Sequence, residues 1–240
     1  MTGSIPIKPV PGTEFFETEI AGVDGVRVTD RRARQSLGWD RFVRLKAVAD
    51  QIASAGVKLR SLLDVGGYDG ALALFVDAAK FHLLDPETTG GNAAEIPVAD
   101  HAYQCVVAVD LIEHIEPSRR ALVLEECARV SSEVLVLNYP ASESRSAQEL
   151  VLRLTGNSLI RQHVEWELPD SGWVMKRLEE RGFVCTLRKH SSVAVWVGQY
   201  ILQNLAPEAA ALVNEYLIAQ HAEESFDTPL YHLISARRCQ

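Results

Sequence analysis

The sequence predicts an α/β fold built on a doubly wound, mostly parallel sheet with helices on both faces. Apolar strand-like segments alternate with helix-like segments through residue 190, and that alternation requires parallel strands joined by right-handed crossovers. In addition, residues 61–70 run from an apolar strand into a turn with three glycines. Such a turn, followed at once by a helix, is where α/β folds hold nucleotide cofactors.

The elements are predicted in order along the chain. Residues 1–35 are interrupted by Pro and Gly, which predicts an N-terminal arm with a short strand pair. Beyond it, apolar periodicity and helix stop signals define the remaining elements. The predicted helices are 36–55, 71–79, 117–130 and 170–181, and the predicted strands are 62–65, 81–85, 105–109, 134–138, 183–187 and 230–236.

All 240 residues are expected to form a single domain. Its core spans residues 36–190. Residues 141–168 leave the sheet at the carboxyl end of a strand, where ligands bind in open α/β sheets, so this insertion is expected to cover a substrate. Residues 191–226 are rich in helix formers and are interpreted equally as a packing element or as a lid or subunit contact. The last strand falls within 228–237, and both a monomer and a homodimer are compatible with this organisation.

Composition limits the partners. The net charge is −8, from 24 basic and 32 acidic residues, which argues against a general nucleic-acid surface. No apolar run approaches the ~20 residues that span a bilayer, and no leader pattern is evident, so a cytoplasmic protein without a membrane span is expected. The four cysteines lack C-x-x-C spacing and are interpreted as free thiols rather than zinc ligands.

The glycine-rich turn carries an unusual charge. Asp64 opens it and Asp69 lies inside it, and Gly66-Gly67-x-x-Gly70 does not fit the dinucleotide pattern. A loop that binds pyrophosphate avoids carboxylates, because anion would face anion. Carboxylates together with close backbone approach favour a ligand that has an adenosine end and a cationic end, such as S-adenosylmethionine.

Two further segments extend this interpretation. Asp85 ends the second strand, 21 residues after Asp64, where a carboxylate can accept hydrogen bonds from ribose hydroxyls. Asn92, in the loop 90–97, could reach the adenine edge. A third apolar strand ends at Asp110.

Four segments, LLDVGGYDG, HLLDPE, GNAAEIPVAD and VVAVDLIEHIEP, occur in this order. Through them the chain resembles the class I S-adenosylmethionine-dependent methyltransferases, especially the small-molecule group related to ubiquinone and menaquinone methylation, over roughly residues 36–190. The resemblance implies a Rossmann-like, seven-stranded sheet with helical insertions. It also implies S-adenosylmethionine as cofactor, S-adenosylhomocysteine as product, and a small-molecule acceptor. The cofactor-binding residues that it implies are Asp64, Gly66, Gly67, Tyr68, Gly70, Asp85, Pro86, Asn92, Ala93, Asp110 and Leu111.

The chain departs from that family at two positions. Tyr68 stands at the middle glycine of the first loop, and Asn92 replaces an aspartate. A tyrosine there could crowd the methionine portion of the cofactor or stack on it. A catalytically silent cofactor-binding protein therefore stays open as an alternative. An NAD(P)-dependent oxidoreductase is a further alternative, opposed by the acid-flanked loop and by the absence of a Tyr-x-x-x-Lys set.

Methyl transfer from a sulfonium is an in-line displacement, so the enzyme mainly supplies alignment and a catalytic base where the acceptor carries a proton. His114 is the candidate base, for an oxygen acceptor; the alternative is that it orders the loop before the Pro117 helix. Asp110, Glu113 and His114 would share a helix face, and the resemblance to ubiquinone O-methyltransferases, some of which use magnesium, makes them an alternative metal set. Because Asp110 has a competing role at the cofactor, no metal is expected.

Substrate contacts are predicted in and before the covering insertion. His163 and Glu165 would share one side of an extended segment, and Tyr139 stands at a strand end. A basic cluster between Arg27 and Arg44 is interpreted as a solvated face, with a cation beside the methionine carboxylate or an acidic substrate as the alternative.

Overall fold

The computed structural model describes residues 7–54, 56, 58–223, 225 and 228–239, and its centre is an eight-stranded sheet. The strands are β1 (Thr13–Glu17), β2 (Asp24–Val28), β3 (Leu59–Val65), β4 (Ala78–Leu84), β5 (Tyr103–Val109), β6 (Ser131–Pro140), β7 (Phe183–Ser192) and β8 (Pro229–Arg238). The helices are α1 (Trp39–Ala53), α2 (Arg120–Val130), α3 (Arg145–Thr155), α4 (Ser158–Glu165), α5 (Ser171–Glu179), α6 (Val193–Leu205) and α7 (Pro207–His221).

The strand order is β1-β2-β4-β3-β5-β6-β8-β7. The four central strands β4, β3, β5 and β6 are parallel. At one edge β8 runs antiparallel between β6 and β7, and at the other the β1–β2 hairpin pairs antiparallel with β4. The predicted mostly parallel, doubly wound sheet is confirmed, with eight strands instead of seven: β3 to β8 supply six strands, and the N-terminal hairpin adds two more by pairing with β4.

Neighbouring residues of the central strands face opposite layers, as the two-residue period of a strand requires. Leu62 packs with Trp39 and Val48 of α1 on one face, whereas Leu63 packs with Leu124 of α2 and Leu178 of α5 on the other. All of these side chains are buried. Helices therefore cover both faces, as predicted.

The helix predicted over residues 71–79 is wrong. Ala71–Leu74 forms a single 3₁₀ turn with four buried residues, and β4 already begins at Ala78. A surface helix needs a polar face, and this segment is apolar except for Asp77. Its residues are instead buried between α1 and the N-terminal hairpin. The glycine-rich turn is therefore not followed by an α-helix.

The two segments outside the minimal sheet are helical. Residues 141–168 form α3 and α4, which pack against each other, and α3 also packs on α6. Strand β7 extends through Ser192, so the second insertion begins with α6 at Val193 rather than at residue 191. Its helices α6 and α7 pack on α1. Within the residues that the structure describes, no helix has the length and apolar character to cross a membrane.

Candidate functional site

A cavity of about 300 Å³ opens at the carboxyl ends of β3 and β5. Three elements supply most of its lining: the glycine-rich turn with Gly66, Gly67 and Tyr68, the end of β5 with Asp110, and helix α1. Parallel strands bring their carboxyl ends to one edge of the sheet, which is the edge where α/β proteins bind ligands. The cavity therefore lies where the sequence predicts the cofactor.

The glycines of the turn are required by close approach. Gly66 has φ +77°, and its N–H donates to the Leu84 carbonyl at 2.7 Å, which ties β3 to β4. A Cβ on Gly67 would collide with the Asp64 carboxylate and would lie 2.7 Å from Leu83 Cδ1. Side chains at these two positions would displace the floor of the cavity.

Tyr68 takes the backbone conformation that glycine adopts easily, with φ +52°. Its N–H donates to Asp85 Oδ2 at 3.1 Å, and its carbonyl accepts from Thr88 Oγ1 at 2.6 Å. The side chain is 45% exposed although the residue lines the cavity, so the ring lies at the rim. The backbone of the turn therefore adopts this conformation although a tyrosine stands at the position of the family's middle glycine.

Asp85 is buried and organises the backbone around it. Besides Tyr68, it accepts from the N–H groups of Glu87 and Thr88, at 2.9 and 3.1 Å, both on Oδ1. A carboxylate oxygen can accept two hydrogen bonds, so one acceptor direction remains on Oδ2.

The remaining predicted cofactor residues lie outside the cavity lining. Asn92 is exposed, and its Oδ1 accepts from the Ala94 N–H at 3.0 Å. Gly70 faces Phe15 and Val26 of the hairpin, and Leu111 lies beneath Gly66. The structure brings together Asp64, Gly66, Gly67, Tyr68 and Asp110 in the lining, and it leaves Gly70, Asp85, Pro86, Asn92, Ala93 and Leu111 outside it.

Asp64 is an acid of this cavity whose pKa is strongly shifted by its surroundings. It is buried, and among the described residues its Oδ1 has no hydrogen-bond partner. Burial, reinforced by the charge of Asp85, raises the pKa of Asp64 to about 8. The carboxyl is therefore mostly protonated at neutral pH, and a cationic group placed beside it would favour the charged form.

Helix α1 contributes two guanidinium groups, from the basic cluster for which a cation at the ligand site was the alternative interpretation. Arg41 binds both carboxylate oxygens of Asp69, while Arg44 Nε lies 2.7 Å from Asp110 Oδ2 and Arg44 Nη1 lies 3.1 Å from Asp40 Oδ2. Burial raises the pKa of Asp110 and the neighbouring Arg44 opposes this. The available signal was the spacing of three residues, which puts both arginines on one face of the helix.

Other arginines of the same basic cluster lie elsewhere. Arg31 contacts Asp77 and the carbonyl groups of the 3₁₀ turn, and Arg32 pairs with Asp30 on the surface. The interpretation as a solvated face therefore applies to these residues, and the alternative of a cation at the ligand site applies to Arg41 and Arg44.

A second cavity of about 150 Å³ adjoins the first. The two share Arg44, Asp110, His114 and Leu159. The other walls come from both insertions and from β8; they are Gln148, Ile160, His163, Trp196, Tyr200 and Tyr231, among others. The first insertion thus reaches the carboxyl edge of the sheet.

His114 and His163 meet at the second cavity, with their Nε2 atoms 3.3 Å apart. The Nδ1 of His114 lies 2.7 Å from Gln162 Oε1, and the Nδ1 of His163 lies 3.2 Å from Gln148 Oε1. Burial, helped by the charges of His114 and Arg44, lowers the pKa of His163 to about 3. His163 is therefore neutral at physiological pH.

The predicted extended segment around residue 163 is wrong, because this stretch is helix α4. Its turns separate the two residues that the prediction had placed on one side: His163 points inward, whereas Glu165 is exposed and lies 3.8 Å from Arg161. Tyr139 is fully buried, and its hydroxyl lies 2.8 Å from Ser171 Oγ, so it lines neither cavity.

The alternative metal set is also rearranged. Asp110 faces Arg44 rather than Glu113 and His114. Instead, Glu113, His114 and His163 each present a ligand atom, and these atoms lie within 4.8 Å of one another. Glu113 is completely buried, and burial with the nearby Asp110 raises its pKa well above the usual range.

Comparison with known proteins rests on structure alone. No protein-family model matches the chain, and no curated protein sequence matches it. Among solved structures, a SAM-dependent methyltransferase from Thermotoga maritima has a TM-score of 0.52 at 11% identity and covers 87% of this chain and 98% of its own.

Two further structures are similar to a comparable degree. A candidate sarcosine dimethylglycine methyltransferase from Galdieria sulphuraria has a TM-score of 0.51 at 16% identity, over 81% of this chain and 84% of its own. The magnesium protoporphyrin IX methyltransferase of Synechocystis PCC 6803, solved with bound SAH, has a TM-score of 0.50 at 10% identity, over 82% of both chains. The chain therefore has the fold of the class I S-adenosylmethionine-dependent methyltransferases.

Proposed function

We propose that this protein is an S-adenosylmethionine-dependent methyltransferase that transfers a methyl group to an oxygen atom of a small molecule. The observation that carries the proposal is the pair of adjoining cavities at the carboxyl edge of the sheet, which share Asp110 and His114. One cavity suits the cofactor and the other suits the acceptor, and transfer requires the two ligands to meet.

The larger cavity would hold the methionine end of the cofactor. Its ammonium group would lie beside Asp64 and favour the charged form of that carboxyl, and Gly66 and Gly67 allow the ligand to approach the backbone. Asp85 keeps one acceptor direction for a ribose hydroxyl. The adenine would lie toward Asn92, Ala93 and Leu111, with Pro86 in the adjoining turn.

The smaller cavity would hold the acceptor. Its walls include Leu159, Trp196 and Tyr200, which favour an acceptor with an apolar or aromatic body. Holding the acceptor in line with the methyl group could supply ~7–11 kcal/mol of the barrier. His114 lines both cavities, so its imidazole is suitably located to remove a proton from a hydroxyl group.

The proposal is tested by calorimetric titration of the chain with S-adenosylhomocysteine and, separately, with NADH. We expect binding of S-adenosylhomocysteine and none of NADH. An Asp85→Ala variant should weaken binding at least tenfold, because the turns that meet at this carboxylate lose their anchor. A Glu95→Ala variant, at an exposed acid of the neighbouring loop, should bind like the original chain.

Binding of NADH without S-adenosylhomocysteine would contradict the proposal and favour an oxidoreductase. If S-adenosylhomocysteine binds but S-adenosylmethionine is never consumed across a panel of hydroxylated acceptors, the alternative of a catalytically silent cofactor-binding protein replaces it.

A further inference from the structure

We propose that Glu113, His114 and His163 form a binding site for a zinc-type divalent cation at the boundary between the two cavities. The three residues come from two separated parts of the chain, the turn after β5 and helix α4. Each offers one ligand atom, and the three atoms lie within 4.8 Å of one another.

The two imidazoles have the spacing of metal ligands. Their Nε2 atoms are 3.3 Å apart. Zn–N bonds of ~2.0–2.1 Å at a tetrahedral angle put two ligand nitrogens about 3.3 Å apart. An ion between the rings therefore needs no change in their separation.

A glutamine lies beside each of the two imidazole rings, and the contacts of Gln148 show how the His163 ring is oriented for metal binding. The Ser144 hydroxyl donates its proton to the Ala141 carbonyl at 2.7 Å. Its oxygen therefore accepts from the amide nitrogen of Gln148, Nε2, at 3.4 Å. The amide oxygen of Gln148 is consequently the group that faces His163, so Nδ1 of that ring carries the hydrogen and Nε2 has a free lone pair. Gln162 Oε1 lies 2.7 Å from His114 Nδ1, and the same tautomer of this ring would donate to that oxygen.

Metal-binding histidines commonly donate their second ring N–H to an oxygen acceptor. With both Nδ1 atoms donating to glutamines, two unprotonated Nε2 atoms would face each other at 3.3 Å. Their lone pairs repel unless a proton or a metal ion lies between them, and the buried carboxyl group beside the rings favours the metal ion.

The surroundings of the Glu113 carboxyl group are a separate indication of a bound ligand. It is completely buried, and among the described residues neither of its carboxylate oxygens has a hydrogen-bond partner. Burying an unpartnered carboxylate is strongly unfavourable, and coordination would satisfy it. To complete a tetrahedral set the carboxylate must approach the imidazoles by roughly 1.5 Å.

The donor atoms select the class of metal. Two imidazole nitrogens and one carboxylate oxygen suit zinc and similar transition ions, whereas magnesium prefers oxygen ligands. This set also replaces Asp110, which faces Arg44, with His163 from the first insertion. Three protein ligands leave the fourth position of a tetrahedral ion open, as in catalytic zinc sites.

The role of the ion rests on the proposed function. An acceptor hydroxyl in the smaller cavity could take the open position, and coordination would lower its pKa so that the oxygen loses its proton more easily. In the metal-loaded enzyme His114 would then be a ligand rather than the base. Binding of the metal itself does not depend on methyl transfer and can be measured without cofactor.

The test is titration of the chelator-treated full chain with Zn²⁺ by calorimetry, and with Co²⁺ by visible absorption. We expect one ion per chain. His163→Ala and Glu113→Gln should each weaken binding at least 100-fold, and Gln148→Ala should weaken it roughly 10–100-fold through loss of ring orientation. Glu165→Gln, at the exposed end of the same helix, is the matched control and should bind like the original chain.

Absence of saturable binding to the original chain would overturn the proposal, as would unchanged binding by a folded His163→Ala variant. If that variant does not fold, Glu113→Gln decides the question, because it replaces the metal-binding carboxyl group by an amide of nearly the same volume. S-adenosylhomocysteine is titrated in parallel. Zinc binding without S-adenosylhomocysteine binding would support the metal site and contradict the proposed function. Binding of S-adenosylhomocysteine without zinc would support the proposed function and contradict the metal site.

Discussion

The larger cavity, where we propose the cofactor, and the smaller cavity, where we propose the acceptor, differ in how the buried charges around them are satisfied. They are called the cofactor side and the acceptor side. On the cofactor side, Asp69 and Asp85 are held by a guanidinium group and by backbone N–H groups, respectively. On the acceptor side, Glu113 has no hydrogen-bond partner among the described residues, and two imidazoles face each other. Most acids of the cofactor side therefore have hydrogen-bond partners within the protein, whereas the acceptor side contains buried polar groups that a bound ligand would satisfy.

The largest expected effect comes from Arg44, where the two sides meet. Arg44→Met removes the partner of Asp40 and Asp110 and leaves two poorly solvated carboxylates together. We expect a loss of about 3–5 kcal/mol in the free energy of unfolding, measured by urea denaturation. Arg32→Met, at a side chain that is 92% exposed, is the control and should change it by less than ~0.5 kcal/mol. Equal effects of the two variants would show that Arg44 does not compensate buried charge at this site.

The second prediction concerns pH and Asp64, the exception on the cofactor side. The folded chain holds a proton on Asp64 up to about pH 8, whereas the unfolded chain loses it near pH ~4. Between these values the unfolded state binds fewer protons, so stability falls as pH rises.

We expect the chain to lose on the order of 2–4 kcal/mol more between pH 5 and pH 8 than an Asp64→Asn variant. Because Asp110 and Glu113 contribute in the same direction in both proteins, the difference between the two unfolding profiles reports Asp64. Parallel profiles would show that Asp64 is charged in the folded chain.

A third prediction tests the packing of the cofactor side. Gly67→Ala forces a Cβ against the Asp64 carboxylate and Leu83 and should destabilise the chain by about 1–3 kcal/mol. Gly198→Ala in α6, where a Cβ has open space, should instead stabilise it by up to ~1 kcal/mol. Thermal unfolding of both variants measures the contrast, and a shift of the same sign in both would contradict it.

The smallest effect is expected from the unpartnered acid on the acceptor side. In chelator-treated protein, Glu113→Gln removes no hydrogen bond and should change the free energy of unfolding by less than about 1 kcal/mol. Asp85→Asn turns an amide group toward a backbone N–H of the cofactor side and should cost about 1–3 kcal/mol. Urea denaturation of the pair is the measurement. A larger loss in Glu113→Gln would mean that this carboxylate is satisfied without a ligand.

The same difference explains how much the sequence revealed. The glycine-rich turn and the Asp85 turn of the cofactor side lie within the contiguous residues 64–85, so strand patterns and glycine spacing located these turns and the fold class. The 3₁₀ turn at residues 71–74 was missed because burial between α1 and the hairpin overrides the local helical preference of that apolar run.

The acceptor side depends on contacts between distant parts of the chain. His114 and His163 were each identified as candidates, but their contact spans 49 residues and depends on how α4 docks, which no local pattern encodes. Gln148 and Gln162 gave no signal at all, since a glutamine on a helix is ordinarily a surface residue. Arg44 became part of the site through the same kind of long-range contact.

The N-terminal hairpin has a consequence for solubility. Without β2, strand β4 would be the edge of the sheet, and its unpaired backbone groups would be open to pairing with another chain. Where β2 pairs with His82 and Leu83 of β4, the hairpin moves the edge outward to β1, a five-residue strand with the sequence TEFFE, whose glutamates oppose pairing with another strand. A chain that lacked residues 1–35 would therefore be exposed to sheet-to-sheet aggregation even before its cavities were disturbed.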